Sequence, residues 1–132
     1  MADLGVQRAD FIGIPVSDLA RADDFYGTTL GLRRNPNSGG PWIEYELGNV
    51  ALALISLEVM GPGFEPRGHQ MPIAFRVPDV EEARRQLEAE GVEFHGEVID
   101  SGVCYLANFT DPDGNALQLH RRYAPYRDGS RP

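Results

Sequence analysis

The chain has 132 residues, 42% apolar and 24% charged, with a formal net charge of -8 and a pI near 4.7. These are the totals of one ordinary globular domain, and the acidic balance argues against nucleic acid or an anionic membrane as a main partner. A single cysteine, Cys104, excludes an internal disulfide, and the absence of any lysine excludes Schiff-base chemistry. No apolar run reaches the roughly 20 residues of a membrane span, and MADLGVQRADF lacks the apolar core of a signal peptide. The expectation is therefore a cytoplasmic protein. GxSxG and GxxxxGK[ST] motifs are both missing.

The first element is an alternating strand, FIGIPV. Ile12, Ile14 and Val16 share one face, and Phe11, Gly13 and Pro15 share the other. A helix follows, with Asp18 placed as N-cap, a stripe of Leu19, Ala22, Tyr26 and Leu30, and Gly31 as the left-handed stop. Pro36–Pro41 reads as a mobile loop. Two strands come next, Trp42–Leu47 and Val50–Leu57, joined by the hairpin dipeptide Gly48-Asn49. MGPGFEPRGHQMP, rich in Gly and Pro, reads as a linker.

The pattern then repeats. In PIAFRV, Ile73, Phe75 and Val77 oppose Pro72, Ala74 and Arg76. Asp79 begins a second helix, with Glu82 spaced to close a capping box, a stripe of Val80, Ala83 and Leu87, and Gly91 at the end. Strands are expected at Val92–His95, Val103–Phe109 and Asn115–His120, with DPDG as the turn between the last two. Each half is thus a βαβββ unit, the first spanning about 9–58 and the second about 71–123. A linker of about 59–70 and a tail of 124–132 complete a single domain. The basic run HRRY at 120–123, with Arg127 and Arg131, reads as part of a solvated tail.

The duplicated βαβββ pattern, PVSDLARADDFYGTTLGL after the first strand and DPDGNALQLH at the end together resemble the glyoxalase, bleomycin-resistance and extradiol-dioxygenase superfamily, over roughly residues 9–123. The resemblance implies an α+β fold in which two tandem modules form a curled mixed sheet around a cup, commonly as a homodimer. Many members hold a divalent metal in that cup. Carried over, the ligand positions here are Phe11, Ala53, Pro72 and Gln118, and none is His, Asp or Glu. A divalent metal wants imidazole or carboxylate donors. The departure favours the family's metal-free mode, binding of a small organic molecule without a cofactor. A metal-dependent lyase, isomerase or dioxygenase is the first alternative. A non-catalytic interaction module with a filled cup is the second.

The candidate ligand-contacting residues are Phe11, Glu44, Arg76, Asn108, Gln118 and His120. Gln118 and His120 share the polar face of the last strand, and the register of the resembled family implies that Asn108 faces the same way one strand over. Arg76 supplies a cation for an anionic ligand, or pairs with Glu44 or Glu46. Any proton transfer would fall to His120 or a glutamate. Cys104 reads as an inert small residue. A metal site rescued from His69, His120 and Glu44 would need a fortunate loop geometry, and His95 only follows an apolar strand. Trp42, Tyr45 and Phe64 either stack on a ligand or fill core.

Overall fold

The computed structural model describes residues 2–63 and 67–132, so Phe64 lies outside the described residues. The chain divides into two compact units, Met1–Arg67 and Gly68–Pro132. Each carries one four-stranded mixed sheet with a helix on one face.

In the first unit β1 (Phe11–Val16) leads into α1 (Leu19–Asp23), then β2 (Arg33–Arg34), β3 (Trp42–Glu46) and β4 (Ala51–Ser56). The spatial order is β1-β4-β3-β2, with β1 parallel to β4 and the remaining pairs antiparallel. Asp18 caps α1 by accepting from the Arg21 backbone N–H at 3.0 Å. The helix does not stay α throughout. Asp24–Thr29 widens into a π-helical segment, and the Leu30 N–H reaches back five residues to the Phe25 carbonyl at 2.8 Å. Gly27 sits in that segment, where a Cβ would come within 3.2 Å of the Tyr45 hydroxyl, so glycine lets the ring lie against the helix.

Under this helix the sheet buries Ile14, Val16, Ile43, Tyr45, Leu52 and Leu54, together with Ala22 and Tyr26 from the helix. The alternating strands and the helical stripe of the sequence therefore meet as expected. The Tyr45 hydroxyl donates to the Asp23 carboxylate and to its carbonyl oxygen, the latter at 3.1 Å, and Arg34 donates to the same carboxylate at 2.8 Å. Burial, and then the Asp23 hydrogen bond, push the Tyr45 phenol well above its ordinary range. β2 was not expected from the sequence. It is only two residues, and its arginines carry no strand pattern. The Pro36–Pro41 loop before β3 has its own hydrogen bonds. Ser38 Oγ donates to the Asn35 carbonyl at 2.8 Å and accepts from the Glu44 N–H at 3.0 Å.

The second unit repeats the plan with β5 (Ile73–Arg76), α2 (Val80–Ala89), β6 (Phe94–Asp100), β7 (Cys104–Thr110) and β8 (Ala116–Arg122), ordered β5-β8-β7-β6. Val80, Leu87, Ala107, Phe109, Leu117 and Leu119 form its core. Asp79 caps α2 through the Glu82 N–H at 3.0 Å. The capping box is not completed: the Glu82 carboxylate turns to Arg85 at 2.5 Å and Gln86 at 3.2 Å, one turn along the exposed helix face. β6 extends past its expected end to Asp100, with a register shift between His95 and Ile99.

The DPDG turn is tied from inside. Asp111 is 5% and Asn115 0% exposed. Asp111 Oδ1 accepts from the Asp113 and Asn115 N–H groups at 2.9 and 2.8 Å, and its Oδ2 from Asn115 Nδ2 at 2.7 Å. Gly114 takes the left-handed φ of 84° that closes the turn. Asn115 Oδ1 then accepts from the His69 N–H at 2.9 Å, and the Ala116 N–H donates to the His69 carbonyl at 2.8 Å. His69 is thus held by its backbone beside the turn, and is not a free linker residue.

The tail is largely exposed, Arg127 and Arg131 included, as the solvated reading expects, but Arg121 and Arg122 are engaged within it. Arg122 donates to the carbonyls of Ala124 and Pro125 at 3.0 and 2.9 Å and lies 5.0 Å from the Tyr126 ring centroid. Arg121 donates to the Pro132 carbonyl at 3.3 Å. Tyr123 donates to Asp100 at 2.8 Å, and this bond pushes its phenol up to about 12.

Candidate functional site

With one face of each sheet under a helix, the candidate residues lie on the opposite faces, the open faces, although on the first sheet Ala53 and Ile55 of that face are buried. On the second sheet the register sets two cross-strand rows. One runs Ala74, Gln118, Asn108 and His95 across β5, β8, β7 and β6. The next runs Arg76, His120, Leu106 and Ile99. Leu117 and Leu119 alternate with Gln118 and His120 and are buried, which fixes the two polar residues on the open side. Gln118 Nε2 donates to Asn108 Oδ1 at 2.7 Å. That bond orients both amides and leaves the Gln118 carbonyl and the Asn108 amino group for another partner. Arg76 is exposed, and no carboxylate of the described residues in its own unit stands within ion-pair distance.

Sequence reasoning passed over His95 as a site residue. Its period-2 position could not be read because β6 is irregular there, yet the ladder sets it opposite Asn108. Cys104 shares the open face, and its Sγ lies 3.0 Å from Ser101 Oγ.

On the first sheet the open face carries a different set. Gly13, Ala53 and Glu44 form one row across β1, β4 and β3, and Pro15, Ile55 and Trp42 form the next. Phe11 stands opposite Ala51, which in turn faces Glu46, and Glu46 faces Arg33. The Phe11 and Trp42 rings meet edge to face, with centroids 5.0 Å apart and planes at 83°. Trp42 Nε1 donates to Glu44 Oε1 at 2.8 Å. Tyr45 belongs to the core and not to this face.

The four positions that correspond to metal ligands provide a direct test of fit. Phe11, Ala53 and Pro72 have no side-chain donor atom, and Gln118 offers only one neutral amide oxygen, its Nε2 being bonded to Asn108. This set does not fit a divalent cation. Among the described residues no group of three His, Cys, Asp or Glu could hold a metal ion.

A separate cleft of about 590 Å³ runs along the second unit beside the start of α2, lined in part by Val80, Tyr105, Arg121, Tyr123 and Arg131. Asp79 and Glu81 also line it and offset the arginine charge, and Arg121 and Arg122 are engaged with tail carbonyls. Arg131 and Pro132 of the tail form part of its wall. No helix among the described residues is long and apolar enough to cross a membrane.

Comparison with known proteins agrees with this architecture. The chain is similar to an antibiotic-binding protein, TnmS3, from Streptomyces sp. CB03234, at 25% identity, with 91% of this chain and 99% of that one covered and a TM-score of 0.75. A glyoxalase/bleomycin resistance protein from the same organism is 28% identical over 87% of this chain and all of that one, at a TM-score of 0.68. A superfamily member from Sphaerobacter thermophilus DSM 20745 is 26% identical, covers 89% and 98% of the two chains, and has a TM-score of 0.73. No curated protein matches the chain. The family model for the glyoxalase/bleomycin resistance protein/dioxygenase superfamily matches residues 8–119, and the chain belongs to that superfamily.

Proposed function

We infer that this protein binds a small organic molecule on the open faces of its sheets, without a metal. The observation that carries the reading is the Gln118–Asn108 amide pair. At a position where the family commonly has a carboxylate holding a metal, this chain has an amide, oriented by its neighbour and flanked by Arg76 and His120. Oriented amides and a guanidinium suit hydrogen-bonded recognition of carbonyl or carboxylate groups. In the first unit, Phe11 and Glu44 are the proposed contacts of that unit's own sheet face. Similarity to an antibiotic-binding protein supports a binding role.

The test is a titration of nitrogen-15-labelled protein with a panel of neutral, anionic and cationic organic fragments, following the side-chain amide signals of Asn108 and Gln118. The reading expects at least one fragment class to shift both signals saturably, and Arg76→Ala to weaken the anionic ones. A panel that leaves both signals unmoved, with the rest of the spectrum intact, would contradict it.

A further inference from the structure

We propose that the open face of the first sheet is a subsite for a small organic cation, an alkylated ammonium, with Phe11, Trp42 and Glu44 as its walls. This rests on the binding reading and gives the face of the first unit a ligand class of its own. The edge-to-face packing of Phe11 and Trp42, at 83°, sets the two ring planes nearly perpendicular, the edge of one against the face of the other, and Phe11 is 46% exposed, so solvent reaches it. Ring faces carry the negative lobe of the aromatic quadrupole and attract cations.

The carboxylate sits where it would complete such a corner. Trp42 Nε1 holds Glu44 Oε1 at 2.8 Å, which fixes the acid against the indole and leaves its second oxygen for a ligand. Glu44's neighbours in its row are Ala53 and Gly13, so no cation of that row offsets it, whereas Glu46 in the adjoining row faces Arg33. The residues behind the corner are apolar and closely packed, with Ala53 0% and Ile55 9% exposed. Ile55 packs beside Gly13, where a Cβ would come within 3.0 Å of Ile55 Cδ1, so the absence of a side chain at Gly13 makes space for it. Methyl groups of an ammonium suit that apolar backing, and a net charge of -8 favours the approach of a cation.

Trp42 is the only tryptophan of the chain, so its emission reports on this corner directly. The experiment titrates the full chain with choline and, in parallel, with its neutral isostere 3,3-dimethyl-1-butanol. The expected result is a saturable change in Trp42 emission with choline and a response at least about tenfold weaker with the alcohol. Glu44→Gln and Phe11→Leu should each weaken choline about three- to tenfold while leaving the thermal midpoint in place. An equal response to both probes, no saturable response in the wild type, or unchanged affinity in Glu44→Gln would overturn the proposal. A silent Trp42 with moving Asn108 and Gln118 amides removes the cation subsite alone. The converse removes the amide-face reading alone.

Discussion

The two modules share one topology and differ in what their open faces offer. The first presents Phe11, Trp42 and Glu44, aromatic and acidic; the second presents Arg76, Asn108, Gln118, His120 and His95, amide and basic. Their helix-covered faces differ less. Both are packed with aliphatic and aromatic side chains, and each module adds one polar tie, Asp23 with Tyr45 and Arg34 in the first and Asp111 with Asn115 in the second. The architecture is set by the face under the helix, where a one-residue slip would expose the core. The open face is released from that constraint, and there the two copies have diverged in chemistry.

The polar ties are where this comparison breaks most visibly. Asp111 is buried and accepts three hydrogen bonds, so Asp111→Ala leaves buried donors unpaired and should cost about 3 kcal/mol in urea unfolding. A loss below about 1 kcal/mol would mean that the turn satisfies itself by other means. Tyr45→Phe in the first module removes a donor and leaves Asp23 with Arg34, and should cost about 1–2 kcal/mol.

The same tyrosine gives a pH signature. Its phenol is held above the ordinary value of 10.0 in the folded chain. Below pH 10 both states keep the proton and the contribution is present in full. Above pH 10 the unfolded chain releases its proton first, so stability falls as pH rises. Tyr45→Phe should flatten that alkaline decline, and a decline unchanged in the variant would assign it to other groups.

Much of this was legible in the chain. Alternation in FIGIPV and PIAFRV, the two Asp caps and the two helix-ending glycines gave the modules, because each is a local signal. Period 2 put Gln118 and His120 opposite Leu117 and Leu119, and the register of the resembled family put Asn108 on the same side. What was hidden depends on partners far along the chain. β2 exists only through its ladder to β3, the π-helical segment answers to the Tyr45 ring, and the Asp111–Asn115 tie to His69 spans a stretch that reads as linker. The corner of Phe11 and Trp42 needs the register of β1, β4 and β3, which alternation cannot supply.

The open faces should respond less in stability than in binding. Gln118→Ala and Asn108→Ala remove one half-buried bond and should each cost about 1 kcal/mol or less, while abolishing the fragment-induced shift of the remaining amide. A large stability loss would instead make the pair a structural tie like Asp111 and Asn115. Arg76→Ala, on an exposed side chain, should change stability by no more than about 0.5 kcal/mol and act on anionic fragments alone.

The claim that ties both faces together is that this chain recognises organic chemistry without a resident metal. Elemental analysis of protein purified and dialysed without chelator tests it most directly. The account predicts no divalent metal in stoichiometric amount and no change in the thermal midpoint after treatment with EDTA. One equivalent of nickel, zinc, manganese or iron surviving dialysis would contradict it.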